Sequence, residues 1–375
     1  MVHKMADMDN EHKRRVRYSG KYPKKFEEKY KEHNPEKYAD TVQRVIDKGS
    51  TPAGMHISIM VEEILEHLRI QPGEHGLDAT LGYGGHTRKM LEKLYEGEAC
   101  TEKIPENPCK DDETGGFVVG LDVDPIESEK TVNRLRKAGF SENIFKFELT
   151  NFRNIDQVAQ KYGKFDFILA DLGVSSMQID NPERGFSYKI DGPLDLRLNP
   201  KEGTSAAQRL HELTRDEFVG MLIENSDEPY AEEIADKVFY RMKQGDKMDT
   251  TTALREAIEA ALFISTKKMS ADEKKEAVKK SCQRTFQALR IDVNSEFEVL
   301  YDFLEKLPEV MNPGARVAIL TFHSGEDRLV KKSFNALKKQ GIYSEISEDV
   351  IRPGKDECRI NPRAKSTKLR WAIKA

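Results

Sequence analysis

Four short apolar runs alternate with amphipathic segments across residues 76–170, and this alternation limits the possible folds more than any other feature of the chain. Gly76-Leu77-Asp78-Ala79-Thr80-Leu81 reads as a strand entering the turn Gly82-Tyr83-Gly84-Gly85-His86, and Thr87–Tyr95 as the helix that follows. Gly116–Val123 reads as a second strand running into Asp122 and Asp124, with a helix over Ile126–Lys137. A third strand is expected at Ile144–Leu149 and a fourth at Phe165–Ala170. Strands separated by helices pair in parallel, because the crossover brings the chain back to the same end of the sheet. The expected class is α/β, a doubly wound and mostly parallel sheet. A helix over Ser58–Leu68 precedes it, with Ile59, Ile64, Leu65 and Leu68 on one face.

The segment after the fourth strand adds a second constraint. Asp171–Pro200 (DLGVSSMQIDNPERGFSYKIDGPLDLRLNP) packs Gly, Ser, Pro, paired carboxylates and two arginines with neither a helical nor an alternating period. Connectors in compact domains are usually a few residues long, so a long polar loop at the carboxyl end of a strand marks a site. Residues 204–285 then carry separate amphipathic helical segments, LTRDEFVGMLIEN, AEEIADKVFYRM and TTALREAIEAALF. The α/β pattern returns with a helix at Phe297–Leu307, a turn at Pro313-Gly314 and a strand at Ala315–Phe322. A helix at Glu326–Lys338 and a last strand at Lys368–Ile373 complete it. The expected organisation is a sheet domain over 55–185 and 290–375, with an inserted helical domain over 186–289.

Charged residues make up 34% of the 375-residue chain and hydrophobic residues 38%, and no apolar run approaches the roughly 18 residues that span a bilayer. The N-terminus lacks an apolar signal core, and four cysteines are too few for a disulfide framework. A cytoplasmic protein with no membrane association is the expectation. Residues 1–54, basic and dotted with tyrosines, read as a partly disordered extension with one short helix after Pro35. Glu96–Gly116 reads as a surface-loop insertion, and its Cys100 and Cys109 match no zinc spacing, so no metal is expected. The net charge of -4 conceals two basic ends, Lys13–Lys31 and Arg359–Ala375, the second holding no acid. Such ends suit a phosphate-bearing partner, solvated tails being the plainer alternative.

The glycine turn after the first strand lets backbone approach a ligand and supplies N–H donors. It lacks the G-x-G-x-x-G spacing, which disfavours NAD. An acid ending the next strand, Asp122, can accept both hydroxyls of a ribose, so the pattern points to an adenosyl ligand. The alternative is a glycine-rich turn beside a solvent-facing Asp. Asp171 stands where a carboxylate would face the ligand's reacting end, with Ser175, Ser176 and Gln178 nearby to orient an amine nucleophile and receive its proton. Capping of the next turn is its bland alternative. His323 either contacts the target or caps the following helix together with Ser324. Arg184 and Arg197 suit phosphates, or ion pairs with Asp191 or Asp195.

Taken together these motifs resemble the bacterial small-subunit rRNA cytosine-N(4) methyltransferases, the MraW/RsmH family. The similarity covers roughly His56 to Ala375. HISIMVEEILEHL, DATLGYGGHT, the long DLGVSS segment, TFQALRIDVNSEFEVL, AILTFHSGEDRLVK and NPRAKSTKLR follow one another in the family's order. The resemblance implies a Rossmann-like class I fold dependent on S-adenosylmethionine, with an inserted helical domain. It implies methyl transfer to the N(4) amine of a cytosine in the decoding centre of 16S rRNA, at the P site, within the small ribosomal subunit. By resemblance Gly84, Gly85 and His86 line the methionine and ribose part, Asp122 holds the ribose and Phe152 flanks the adenine. Asp171 and Gln178 complete the pocket, while Asp171, Ser175 or His323 meets the reacting amine. Arg363, Lys365, Lys368 and Arg370, with Arg184 and Arg197, would grip RNA phosphates. A homodimer is compatible with the sequence, as is a monomer. A related enzyme acting on another RNA, a DNA base or a protein amine, or a non-catalytic ribosome-associated protein, is the alternative. The chain departs from the family pattern at Gly325, where Leu is common, at the 96–116 insertion and at the 1–54 extension.

Overall fold

In the computed structural model, which describes residues 58–95 and 115–375, seven strands form one sheet. They are β1 (His75–Asp78), β2 (Phe117–Asp122), β3 (Phe145–Leu149), β4 (Phe165–Asp171), β5 (Met311–Thr321), β6 (Tyr343–Ile346) and β7 (Lys368–Lys374). Their order is β3-β2-β1-β4-β5-β7-β6, parallel throughout except that β7 runs antiparallel to both its neighbours. The chain winds outward from β1 to β3 and then crosses back to β4. The order therefore reverses between β1 and β4, and a doubly wound sheet binds ligands at the carboxyl ends of the strands beside such a reversal.

The central strands are buried on both faces, as their unbroken apolar runs require. Alternate residues feed two cores. Leu77, Val119, Ile168 and Val317 pack against α4 (Ile155–Tyr162), α11 (Glu296–Val310) and α12 (Ser324–Lys339). Val118, Phe167, Leu169 and Ala318 pack against α1 (Val61–Leu68), α2 (Gly85–Leu94) and α3 (Pro125–Lys137). The Pro313-Gly314 turn is absorbed into β5, where the register against β4 slips from Met311↔Phe165 to Arg316↔Phe167. Phe165 packs in the first of these cores and Phe167, beyond the slip, in the second. The first strand ends earlier than its apolar run, at Asp78, because Ala79–Gly84 turns away to form the loop. Strand β6 and helix α4 add to the expected elements, α4 placing Ile155, Val158, Ala159 and Tyr162 on one face.

Between β4 and β5 stand α5 (Ser176–Asp180), α6 (Ala206–Glu212), α7 (Arg215–Ser226), α8 (Ala231–Lys243), α9 (Thr251–Ser265) and α10 (Ala271–Asn294). The last five bury a cluster of their own around Phe218, Ile234, Leu254, Ile258, Phe286 and Leu289. Their starts follow from sequence. Ser205 with Gln208, Thr214 with Glu217 and Ser270 with Glu273 each close a reciprocal capping box. Helix α10 runs unbroken through residue 290 to Asn294, so the return to the sheet lies at Ser295, whose left-handed φ of 48° turns the chain into α11. The expectations for residues 1–54 and for Cys100 and Cys109 lie outside the described residues.

Candidate active site

The loop after β1 is built to bring backbone close to a ligand. Asp78, buried at the end of the strand, accepts the Thr80 N–H at 3.1 Å and the Thr87 hydroxyl at 2.6 Å, tying the loop to the first turn of α2. Gly84 caps that helix with φ 73°, where an L side chain is strained. A Cβ there would also lie 2.8 Å from Thr131 and 3.2 Å from Leu135, so glycine permits α3 to close over the turn. Thr131 Oγ1 donates to the Gly82 carbonyl at 2.6 Å, and the Arg134 guanidinium stacks 4.1 Å above Tyr83.

Asp122 ends β2 beside this loop. One carboxylate oxygen accepts the Gly82 N–H at 2.9 Å and the other the Asp124 N–H at 2.8 Å. Burial pushes its carboxyl up to about 6, against the pull of these donors. A carboxylate has about four acceptor sites, so Asp122 keeps capacity for a further donor.

The Asp171 N–H donates to Thr80 Oγ1 at 2.6 Å, which joins β4 to the loop across the reversal point. Its Oδ2 faces His86 Nδ1 at 3.5 Å, while Oδ1 is buried without a partner. His86 Nε2 lies 2.9 Å from the Ile59 carbonyl. A carbonyl only accepts, so Nε2 carries the hydrogen and Nδ1 is left facing the Asp171 carboxyl. Burial first, and then the nearby charges of Asp78 and Glu326, raise the Asp171 carboxyl to about 6, while His86 opposes them.

The expected residues of the DLGVSS segment divide by role. Ser175 Oγ accepts the Gln178 N–H at 3.2 Å and Gln178 Oε1 accepts the Ser175 N–H at 2.9 Å, so both are occupied in capping α5. Gln178 Nε2 donates to Asp124 at 3.0 Å. Arg184 is buried, donating to Asp124 at 2.7 Å and to the Arg197 and Leu198 carbonyls at 3.1 and 2.8 Å. Neither Asp191 nor Asp195 is its partner. Burial works against the Asp124 carboxylate, but the Arg184 guanidinium and the Gln178 amide hold it below its ordinary range. Gln178 and Arg184 thus both fasten the long loop to α3 through Asp124. Phe152 sits half-buried in a 3-10 turn after β3, edge-on to Phe303 with ring centroids 5.2 Å apart.

His323 makes no side-chain cap on α12. Its Nε2 lies 3.1 Å from Glu326 Oε1, and Glu326 Oε2 accepts the Phe322 N–H at 2.8 Å. Burial opposes ionisation of Glu326, but His323 and Arg290 hold the carboxyl below its usual value. At Gly325 a Cβ would stand 2.6 Å from the Phe297 ring, which itself meets the His323 ring edge-on at 5.7 Å. Phe297 fills the space that a side chain at 325 would take. Thr80, Glu326 and Phe297 escaped the sequence analysis, since each gains its role only through a neighbour distant in the chain.

Most of the cations expected to grip phosphate are committed within the protein. Arg197 forks onto Asp195 at 2.7 and 2.8 Å, and Arg363 pairs with Asp180 at 2.8 Å. Lys368 and Arg370 share Asp327 at 3.1 and 2.7 Å, and Arg370 is buried. The Arg197 pair is the alternative foreseen for it. Lys365 alone of the set is exposed and lacks an ion pair among the described residues.

The strand order with its single antiparallel strand, the glycine turn after β1 and the acid closing β2 define a class I S-adenosylmethionine-dependent methyltransferase. The unpartnered buried Asp171 oxygen and the cradle at Gly84 fit such a donor. The model of the MraW methylase family matches residues 53–104 and 110–375, and the chain belongs to that family. Ribosomal RNA small subunit methyltransferase H 1 of Agathobacter rectalis is 62% identical over 367 residues, 98% of this chain and 99% of its own length. Ribosomal RNA small subunit methyltransferase H 1 of Lachnoclostridium phytofermentans is 61% identical, covering 97% of this chain and 93% of its own. Ribosomal RNA small subunit methyltransferase H of Clostridioides difficile is 32% identical and covers 85% of this chain and 98% of its own. At 98% and 97% coverage the first two relatives extend over most of the 1–54 segment. A SAM-dependent O-methyltransferase of Thermotoga maritima, at TM-score 0.37 and 10% identity over 89% of this chain and 71% of its own, is too distant to support any assignment.

Proposed function

We propose that this chain transfers a methyl group from S-adenosylmethionine to the exocyclic N(4) amine of a cytosine in 16S rRNA, at the decoding centre of the small ribosomal subunit. The family membership and the names of the relatives support the RNA substrate. The observation that carries the chemistry is Asp171, a carboxylate with a bare buried oxygen at the reversal point of the sheet. When bound, the donor supplies an electrophilic methyl on a sulfonium. Asp122 and the Gly82–Gly85 backbone hold its ribose and methionine ends, and Phe152 flanks its adenine.

The chain's part is positioning and proton handling. An aromatic amine is a weak nucleophile that becomes acidic once alkylated, so no base need act before the methyl moves. Asp171, with its carboxyl near 6, orients the amine through Oδ1 and receives the proton afterward. His86, locked by Ile59, stabilises the ionised carboxylate while it waits. His323, 3.1 Å from Glu326 at the neighbouring strand end, would meet the target nucleotide. No covalent bond between enzyme and base is needed, and buried Cys282, its thiol pushed up to about 12 chiefly by burial, is unsuited to one.

No helix among the described residues is long and apolar enough to cross a membrane, and we place the reaction in the cytoplasm, where ribosomal subunits are assembled. Small subunits from a strain lacking the activity, incubated with the protein and labelled S-adenosylmethionine, should yield labelled N(4)-methylcytidine on nucleoside analysis. Label in any other nucleoside, or none, overturns the proposal.

A further inference from the structure

Helices α9 and α10 meet in a tight reversal at the free end of the helical block. Thr266 Oγ1 donates to the Leu262 carbonyl at 2.6 Å, Lys267 N–H to Ile264 at 3.1 Å and Met269 N–H to Thr266 at 3.0 Å, so the turn is ordered by its own hydrogen bonds. It presents Phe263, Ile264 and Met269 at 59%, 80% and 38% exposure. Around them Lys267, Lys268 and Lys275 are exposed and have no ion pair among the described residues. Lys274 Nζ lies 4.6 Å over the Phe263 ring. Asp272, Glu273 and Glu276 stand among them, Glu273 at the Ser270 cap and Glu276 against Lys279 at 2.9 Å, so lysines outnumber acids six to three over residues 267–280. On a chain of net charge -4 this is a concentrated excess of positive charge.

Solubility alone explains lysines, but it does not explain an aromatic and two large aliphatic side chains exposed together. Cations that meet phosphate and flat apolar groups that meet unstacked bases or sugar faces are the ordinary equipment for RNA. Helix α10 connects this turn to the site. Its 24 residues span about 36 Å at 1.5 Å per residue. Its other end, Asn294, donates to the Leu196 carbonyl and accepts the Leu198 N–H, both at 2.8 Å, beside the Arg184 strut.

We propose that the α9–α10 turn is a second RNA contact, some 36 Å of helix from the methyl-transfer site. The substrate it selects is a folded RNA or assembled subunit large enough to reach both, in preference to a short oligonucleotide. This rests on the proposal that the substrate is RNA. It also accounts for the scarcity of available cations near the site itself.

The test uses the full chain with Lys267→Glu, Lys268→Glu and Lys275→Glu combined, and separately Phe263→Ser with Ile264→Ser. Thermal melting checks that each is folded. Binding to purified small subunits and to a short hairpin carrying the target cytosine is measured across a salt series, together with methyl transfer. The lysine variant should weaken subunit binding at least tenfold and flatten the salt dependence by two to three released ions. Its hairpin binding and S-adenosylmethionine affinity should be unchanged. Unchanged subunit binding and salt slope overturn the proposal, as does an equal loss on the hairpin. Loss on the Phe263/Ile264 variant alone overturns it in favour of a protein partner. Wild-type protein that binds subunits without methylating them refutes the proposed function, while the binding series still judges the turn.

Discussion

His86 and Asp171 face each other at 3.5 Å across the reversal point of the sheet, and the Ile59 carbonyl on the far side of the imidazole leaves Nδ1 to the carboxylate. Two groups from different crossovers thereby meet beside a buried oxygen that has no partner. Asp171→Asn keeps the shape and removes the charge and the site that takes up the proton. Its kcat should fall about 100-fold, with donor affinity changed less than about threefold. Single-turnover methylation and calorimetric titration separate the two, and a kcat within threefold of wild type would remove Asp171 from the mechanism.

With its carboxyl near 6, Asp171 is protonated in mild acid, so kcat/KM should rise through about pH 6 to a plateau. His86 draws that value downward, so His86→Ala should move the midpoint to higher pH. A midpoint that stays or falls would show that the pair is not the titrating unit.

Asp122 is raised to about 6 by the same leading cause, burial, here at the end of β2. Ribose donors favour its ionised form, so donor affinity should strengthen as pH rises from 5 to 7 and then level. Asp122→Asn should bind the donor about 100-fold more weakly and lose that pH dependence. Without donor the sign reverses. The stability gained by holding a neutral carboxyl is present below its ordinary value of 3.8 and is lost as pH rises through about 6. Thermal melts from pH 4 to 7, with and without donor, read both.

Arg184 joins the long loop to α3 through Asp124. Arg184→Met leaves that carboxylate buried and unpaired, which should cost about 3–5 kcal/mol in denaturant unfolding. The salt dependence of RNA binding should not change, because the guanidinium is closed to phosphate. A stable variant with a flattened salt slope would restore Arg184 to the RNA interface.

At the α12 start, glycine and a phenylalanine share one volume. Gly325→Leu should destabilise by about 1–3 kcal/mol through overpacking against Phe297. Adding Phe297→Ala should recover at least 1 kcal/mol of it, a coupling read from a double-mutant cycle. Additive losses would mean the two side chains do not compete.

The sequence by itself determined the architecture. The alternating apolar runs dictated a parallel sheet, the S/T-x-x-E/Q boxes set helix starts at Ser205, Thr214 and Ser270, and Gly84, Asp122 and Asp171 stood at strand ends by position alone. These are local properties, fixed by period and backbone conformation. What charged residues do was decided only by the tertiary structure. Arg184, Lys368 and Arg370 read as phosphate ligands, yet Asp124 and Asp327 claim them, because pairing depends on which carboxylate folding brings within 3 Å or so. Conversely, the lysines at the α9–α10 turn gained meaning from where a 24-residue helix carries them. A charge is legible in sequence, but its partner is a fact of three dimensions.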